Sequence, residues 1–288
     1  MKTLKLVAAI AALTGSMATN AANIDLFTSP TGTTKLEVDN DTSTAITIST
    51  FAQQSDSADP DSILGGYRDM LLEFEGVSTL GEVGGASLVV KQNTVTGNGS
   101  LTFNSDDFVV AKGSIQWDGE DSGTGIENLN TSGNLGDITD GGSADRFLFE
   151  VISADHDFNF SLALYDTDGS SVIFDLAAFT GPHTSVILFS DFNAAFALTG
   201  DCLASGFPIP SKNINGFECT KGTTSGIDFT HISAMELVLN TSGLAGATAS
   251  LDMTIGGITT VPEPSSLALI GLGLMATGFA GKRKSKKA

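Results

Sequence analysis

The three histidines, His156, His183 and His231, fall in separate segments and share no metal-type spacing. There is no Gly-x-Ser-x-Gly elbow and no His-Glu-x-x-His pair, so the local signatures of a serine hydrolase and a zinc hydrolase are both missing. Paired carboxylates for sugar hydrolysis could be drawn from the many acids, but nothing in their spacing selects a pair. Two other groups carry chemistry. Asp166-Thr167-Asp168-Gly169 puts two carboxylates two residues apart before a glycine turn, the kind of hard oxygen set that suits calcium. It is not an EF-hand, because Ser170 holds the fifth position and the bidentate Glu is missing. Trp117, the single tryptophan, precedes Asp118-Gly119 at an expected strand end, where an exposed ring would serve as a platform for a sugar. The alternative for Trp117 is a core position. For the acidic turns it is a solubilising role at strand edges.

Charge narrows the partners. The chain has 33 Asp+Glu against 14 Lys+Arg, and residues 23–260 alone hold 32 acids and 7 bases, a net of −25. Such a segment repels phosphate backbones, so a nucleic-acid partner is excluded. Further acidic clusters occur at Asp118, Glu120 and Asp121, at Asp137, Asp140 and Asp145, and at Asp155 and Asp157. No organic cofactor motif is present; Gly271, Gly273 and Gly278 have the wrong spacing for a nucleotide fingerprint.

The two ends are address labels. Residues 1–22 read as a secretory signal peptide, with Lys2 and Lys5 before the apolar Leu6–Leu13 and a small-residue stretch up to the cleavage site. Cleavage falls after Ala21 or Ala22, with Ala21 preferred because it puts Thr19 rather than Asn20 at −3. At the other end, Val261-Pro262-Glu263-Pro264 leads into the mostly apolar Ser265–Ala280 and then into Lys282, Arg283, Lys284, Lys286 and Lys287. Sixteen helical residues reach roughly 24 Å, short of the ~30 Å hydrocarbon core, which makes this a marginal transmembrane helix. Its basic end stays cytoplasmic and leaves residues 23–260 outside.

Residues 261–288 resemble the PEP-CTERM sorting tail: a Pro-Glu-Pro motif at Pro262, Glu263 and Pro264, a short membrane helix and a basic terminus. Lys outnumbers Arg in the basic end, a departure from the usual tail. The resemblance implies an exosortase-like processing enzyme as partner, passage through the inner membrane of a Gram-negative bacterium, and delivery to the cell surface or extracellular matrix. In such a compartment disulfides persist, and Cys202 and Cys219 are expected to form one across a loop containing Pro208, Pro210 and Gly216.

Period-2 alternation dominates the region between the ends. Phe158-x-Phe160-x-Leu162-x-Leu164 sends its large residues to one face, and Met70-x-Leu72-x-Phe74, Phe147-x-Phe149-x-Val151, Met235-x-Leu237-x-Leu239 and Leu251-x-Met253-x-Ile255 do the same. Only Ser190–Leu198, with Phe192 and Phe196 four apart, suggests a short helix. Short strands with one apolar face, separated by turns rich in Gly, Asn and Asp, predict an all-β fold, an antiparallel β-sandwich over residues 23–260. The succession Ser190–Phe192, Gly226–Thr230, Ile232–Leu239, Leu251–Ile255 resembles the closing strands of jelly-roll carbohydrate-binding modules and other galactose-binding-like domains.

The expectation is therefore an exported, non-enzymatic protein of the cell surface or matrix, linked to exopolysaccharide or biofilm. The alternatives are a module that holds matrix polysaccharide and, further off, an extracellular hydrolase.

Overall fold

The computed structural model describes residues 22–28, 33–40, 48–55, 62–77, 84–92, 99–119, 129–198, 214–223, 226–241 and 250–262. Within them are β1 (Ala22–Asp25), β2 (Thr33–Asn40), β3 (Ile48–Ser55), β4 (Tyr67–Val77), β5 (Gly84–Gln92), β6 (Gly99–Ser105) and β7 (Val109–Trp117). Then come β8 (Ala144–Ala154), β9 (Phe158–Asp166), β10 (Ser171–Ala178), β11 (His183–Leu188), α1 (Phe189–Leu198), β12 (Ile214–Thr220), β13 (Ile232–Leu239) and β14 (Leu251–Pro262). Sheet 1 runs β11-β8-β14-β6-β5-β2, with β1 added beside β14. Sheet 2 runs β12-β10-β9-β13-β7-β4-β3. The pairings are antiparallel, and the sandwich is of the jelly-roll kind expected.

The alternation read from sequence decides which face is inside. On β6, Leu101 and Phe103 are buried and Thr102 and Asn104 are half-exposed. On β4, Arg68, Met70, Leu72 and Phe74 point into the sandwich, and on β9 of the same sheet Phe158, Phe160, Leu162 and Leu164 do likewise. Gly113 on β7 lets the sheets close up, because a Cβ there would stand 3.0 Å from the Phe103 ring and 3.1 Å from Leu88. Helix α1 seals one part of the core with aromatics: Phe189 stacks on Phe229 at 4.2 Å, and Phe192 lies 4.5 Å from Phe174. Its span agrees with the helix expected at Ser190–Leu198.

Two local expectations change. The segment between the cysteines was expected to be loop, yet β12 occupies Ile214–Thr220 within it and includes Cys219. The reason is Phe217, whose buried ring packs edge-on against Phe174 at 6.1 Å while the strand completes the β10 ladder. In addition, β14 runs past the expected boundary at 260 to Pro262, and β1 starts at Ala22. The signal segment 1–21, the tail 263–288 with its membrane helix, and Cys202 lie outside the described residues. Among the described residues, no helix is long and apolar enough to cross a membrane.

Candidate functional site

Trp117 is not an exposed platform. It ends β7 on the inner face with no exposed surface, and its indole Nε1 donates to Asp25 Oδ2 at 2.9 Å. The parity of β7 sets this: Ile115 and Trp117 share the core side, and Gln116 takes the other. Arg68, equally buried, donates from Nη1 to both Asp25 oxygens at 2.5 Å, and its guanidinium carbon lies 5.3 Å from the centre of the Phe27 ring. Asp25 Oδ1 also accepts the Phe27 amide at 2.7 Å, which helps to hold Phe27 at φ 52°, unusual for a non-glycine. The sugar role expected of Trp117 is thus replaced by a structural one.

Asp166 and Asp168 hold their own turn. Asp166 is 1% exposed; Oδ1 accepts the amides of Asp168 and Ser170 at 3.1 and 2.9 Å, and Oδ2 accepts the Asp228 amide at 3.0 Å. Asp168 Oδ1 accepts the Ser170 amide and hydroxyl, and Oδ2 accepts the Thr223 hydroxyl at 3.1 Å. Burial, reinforced by the Asp168 carboxyl beside it, pushes Asp166 up to about 6 despite the amides that favour its charge.

The other acidic turns follow the same logic. Asp118 Oδ2 accepts the Asn130 amide, Asp155 Oδ1 the Asp252 amide and Asp157 Oδ1 the Thr180 amide. At Asp137, burial pushes upward, but bonds from Thr139 and Gly141 outweigh it and hold the carboxyl below its usual range. Glu120 and Asp121 lie outside the described residues. Among the described residues no three His, Cys, Asp or Glu side chains converge as metal ligands.

The arrangement with ligand-binding chemistry is on the outer face of sheet 2. Asp69 stands opposite Gln116, Gln116 opposite Glu236, and Glu236 opposite Ala163, so one polar row crosses β4, β7, β13 and β9. Tyr67 precedes Asp69 by two residues and Tyr165 follows Ala163 by two. Antiparallel pairing therefore carries both tyrosines, the only two in the chain, one step toward the same end of the sheet. Both are half-buried. Asp69 is 2% and Gln116 5% exposed, although both lie on the outward side of their strands. Gln116 Nε2 donates to Glu236 Oε1 at 2.8 Å.

Burial raises the Glu236 carboxyl above its usual range, the Gln116 bond opposes this, and Glu73 adds to the rise. Burial likewise raises the Tyr165 hydroxyl, with Glu236 contributing. Sequence reasoning missed this row, because Asp69 and Gln116 are 47 positions apart, Gln116 and Glu236 are 120 apart, and only strand register brings them together.

A second concavity, about 510 Å³, lies over sheet 1 and is lined by Leu26, Gly99, Leu148, Glu150, Gly256 and Thr259 among others. Among the described residues, none of those lining it is aromatic. Near it, the C-terminal strand ends at the expected processing motif: Pro262 pairs with Ala144, while Glu263, Pro264 and the basic end Lys282, Arg283, Lys284, Lys286 and Lys287 lie outside the described residues.

Several solved structures superpose in part on this chain, and one sequence motif matches its tail. The family 11 carbohydrate-binding module of a cellulosomal cellulase of Clostridium thermocellum superposes with a TM-score of 0.37 at 10% identity, covering 85% of this chain and 96% of that one. The family 11 module from Clostridium thermocellum in complex with a β-1,3-1,4-mixed-linked tetrasaccharide gives 0.31 at 11%, covering 81% and 98%. An exo-β-agarase gives 0.35 at 14%, covering 62% of this chain and 22% of that one. Among curated proteins, none matches this sequence. The PEP-CTERM protein-sorting motif matches residues 260–284, at the point where β14 ends. The chain thus carries a PEP-CTERM protein-sorting motif at the end of the last described strand of a jelly-roll-like β-sandwich.

Proposed function

We propose that this protein is an exported, non-enzymatic component of the bacterial surface or extracellular matrix, and that the outer face of sheet 2 binds polysaccharide. An exosortase-like enzyme delivers it from the inner membrane. The observation that carries the binding role is the row Asp69–Gln116–Glu236 flanked by the chain's two tyrosines.

A pyranose ring offers C–H faces and hydroxyl edges. Tyrosine supplies an apolar body with a polar tip, and the half-buried Glu236, held in place by Gln116, supplies acceptors. The three strand steps between β4 and β9 amount to roughly 14 Å, enough to seat a short stretch of glycan. A domain with a net charge of −25 repels polyanions, so the ligand is an uncharged glycan.

Binding rather than hydrolysis fits the row, because Glu236 already accepts a hydrogen bond from Gln116. Affinity electrophoresis of the full exported domain through gels containing neutral glucans or galactans tests the reading, with alginate as the anionic control. Retardation by at least one neutral glycan, abolished by Tyr67→Ala plus Tyr165→Ala, is expected. Unretarded migration in every neutral gel, or a double variant that still binds like wild type, would overturn it.

A further inference from the structure

The first described strand and the residues that lead into the sorting motif meet on β14. On one side of β14, Ala22 pairs with Thr260, Asn23 with Thr259 and Asp25 with Ile258. On its other side, Thr260 pairs with Phe147, Val261 with Arg146 and Pro262 with Ala144. Thr260 is wholly buried, and its hydroxyl donates to the Ile138 carbonyl at 2.9 Å. The strand is therefore held from both sides up to the residues just before the motif, and Pro262, the motif's first residue, is itself in the ladder. Only Glu263 and Pro264 separate it from Ser265, where the apolar run begins. Three residue steps of at most ~3.6 Å put the end of β14 within roughly 11 Å of that run.

The ladder partners of this strand end give it a surface. Ala144 follows the turn in which the Thr139 carbonyl accepts its amide at 2.7 Å, and Arg146 is held by Asp145 through Nε–Oδ1 and Nη2–Oδ2 contacts of 2.6 and 2.7 Å. Ala22 and Asn23, which follow the expected signal cleavage, lie on the opposite flank of β14 from β8.

We infer that the processing enzyme recognises a composite surface rather than a loose peptide. That surface consists of Pro262 together with the sheet end formed by Ala144 and Arg146 of β8 and by Ala22 and Asn23 of β1. The folded sandwich is then part of the substrate, and scission falls on the tail side of Pro262. One peptide bond breaks there. Water or an amine acceptor takes the acyl carbon, and the amide nitrogen leaves with a proton as the new N-terminus of the tail. Because no spacer exists, an incompletely closed sheet 1 fails to present the motif, and unfolded chains remain membrane-bound.

The full-length protein, expressed in a cell that carries the processing enzyme, provides the test. In the spacer variant, a flexible Gly/Ser segment of about a dozen residues followed by Val-Pro is inserted between Pro262 and Glu263. It leaves β14 intact and rebuilds the motif at a distance from the sheet. Pulse-chase should show its processing slowed by at least roughly tenfold, as expected when a preorganised recognition geometry is given up, while the thermal transition of the domain is unchanged. The released wild-type protein should begin at Ala22 or Asn23 and end at or beyond Pro262 by intact mass. Processing of the spacer variant at the wild-type rate, a wild-type product ending before Pro262, or release with Lys286-Lys287-Ala288 still attached would each overturn the inference.

Discussion

Asp25 and Arg68 form a fully buried ion pair, with Nη1 2.5 Å from each carboxylate oxygen, and it joins β1 of sheet 1 to β4 of sheet 2. Removing one member of such a pair leaves a charge in the core, which costs about 3–5 kcal/mol. Asp25→Ala should destabilise the domain by that amount. The single tryptophan reports it directly, since Trp117 loses its acceptor in the same variant. Urea unfolding followed by Trp117 emission is the measurement, and a loss below about 1 kcal/mol would contradict a clamp role.

The ion pair also marks where sequence reading stopped. Strand positions such as Phe158–Leu164 and Met235–Leu239 were legible because their apolar residues alternate at the period of the pleat. Arg68 shares the parity of Met70, Leu72 and Phe74, a signal that it faces the core, but an arginine reads as surface until its partner 43 residues away is known. Trp117 carried the same parity signal through Ile115, and the neighbouring Asp-Gly turn suggested exposure instead. The row Asp69–Gln116–Glu236 could not be read at all without register, which local pattern does not encode. Asp-x-Asp-Gly is ambiguous in principle, because a carboxylate that binds a cation and one that binds turn amides occupy the same kind of loop.

Asp166 gives a pH prediction whose sign follows from linkage. Its folded value of about 6 lies above the reference of 3.8, so between these the folded protein holds a proton that the unfolded chain has released. Stability from this group therefore falls as pH rises from about 4 through 6, and it is level on either side. Asp166→Asn should be less stable at every pH, since its amide nitrogen cannot accept the Asp228 amide, and it should lack that slope. Melting curves at half-unit steps check this; parallel pH profiles for the two proteins would refute it.

Calcium should act on this domain only as a general counterion. The oxygens of Asp166 and Asp168 already accept amide and hydroxyl protons from Ser170, Asp228 and Thr223, and binding a cation would require those bonds to be given up. The expected response is a shallow rise in Tm, matched by magnesium and unchanged in Asp168→Asn. A true site would instead saturate, at about 2.7 kcal/mol for calcium 100-fold above Kd. A saturating, calcium-selective shift that disappears in Asp168→Asn would make this turn a metal site.

Cys219 offers the last test, and its position in β12 sharpens it. It stands opposite Val172 on the strand at one edge of sheet 2, half-buried against the core, while Cys202 lies outside the described residues. An edge strand is held by one ladder only, so it is the part of the sheet most open to fraying. A disulfide from Cys219 to Cys202 closes an 18-residue loop, which in the chain-entropy model is worth about 3 kcal/mol. Its loss should be felt first at β12 rather than across the whole sandwich. Non-reducing peptide mapping of the exported protein should recover the two cysteines joined. In Cys202→Ser plus Cys219→Ser, hydrogen exchange should quicken at residues 214–220 before it quickens in β9 or β13. Two alkylatable thiols in the exported wild type would remove the bridge, and uniform quickening across sheet 2 would remove the edge-strand argument.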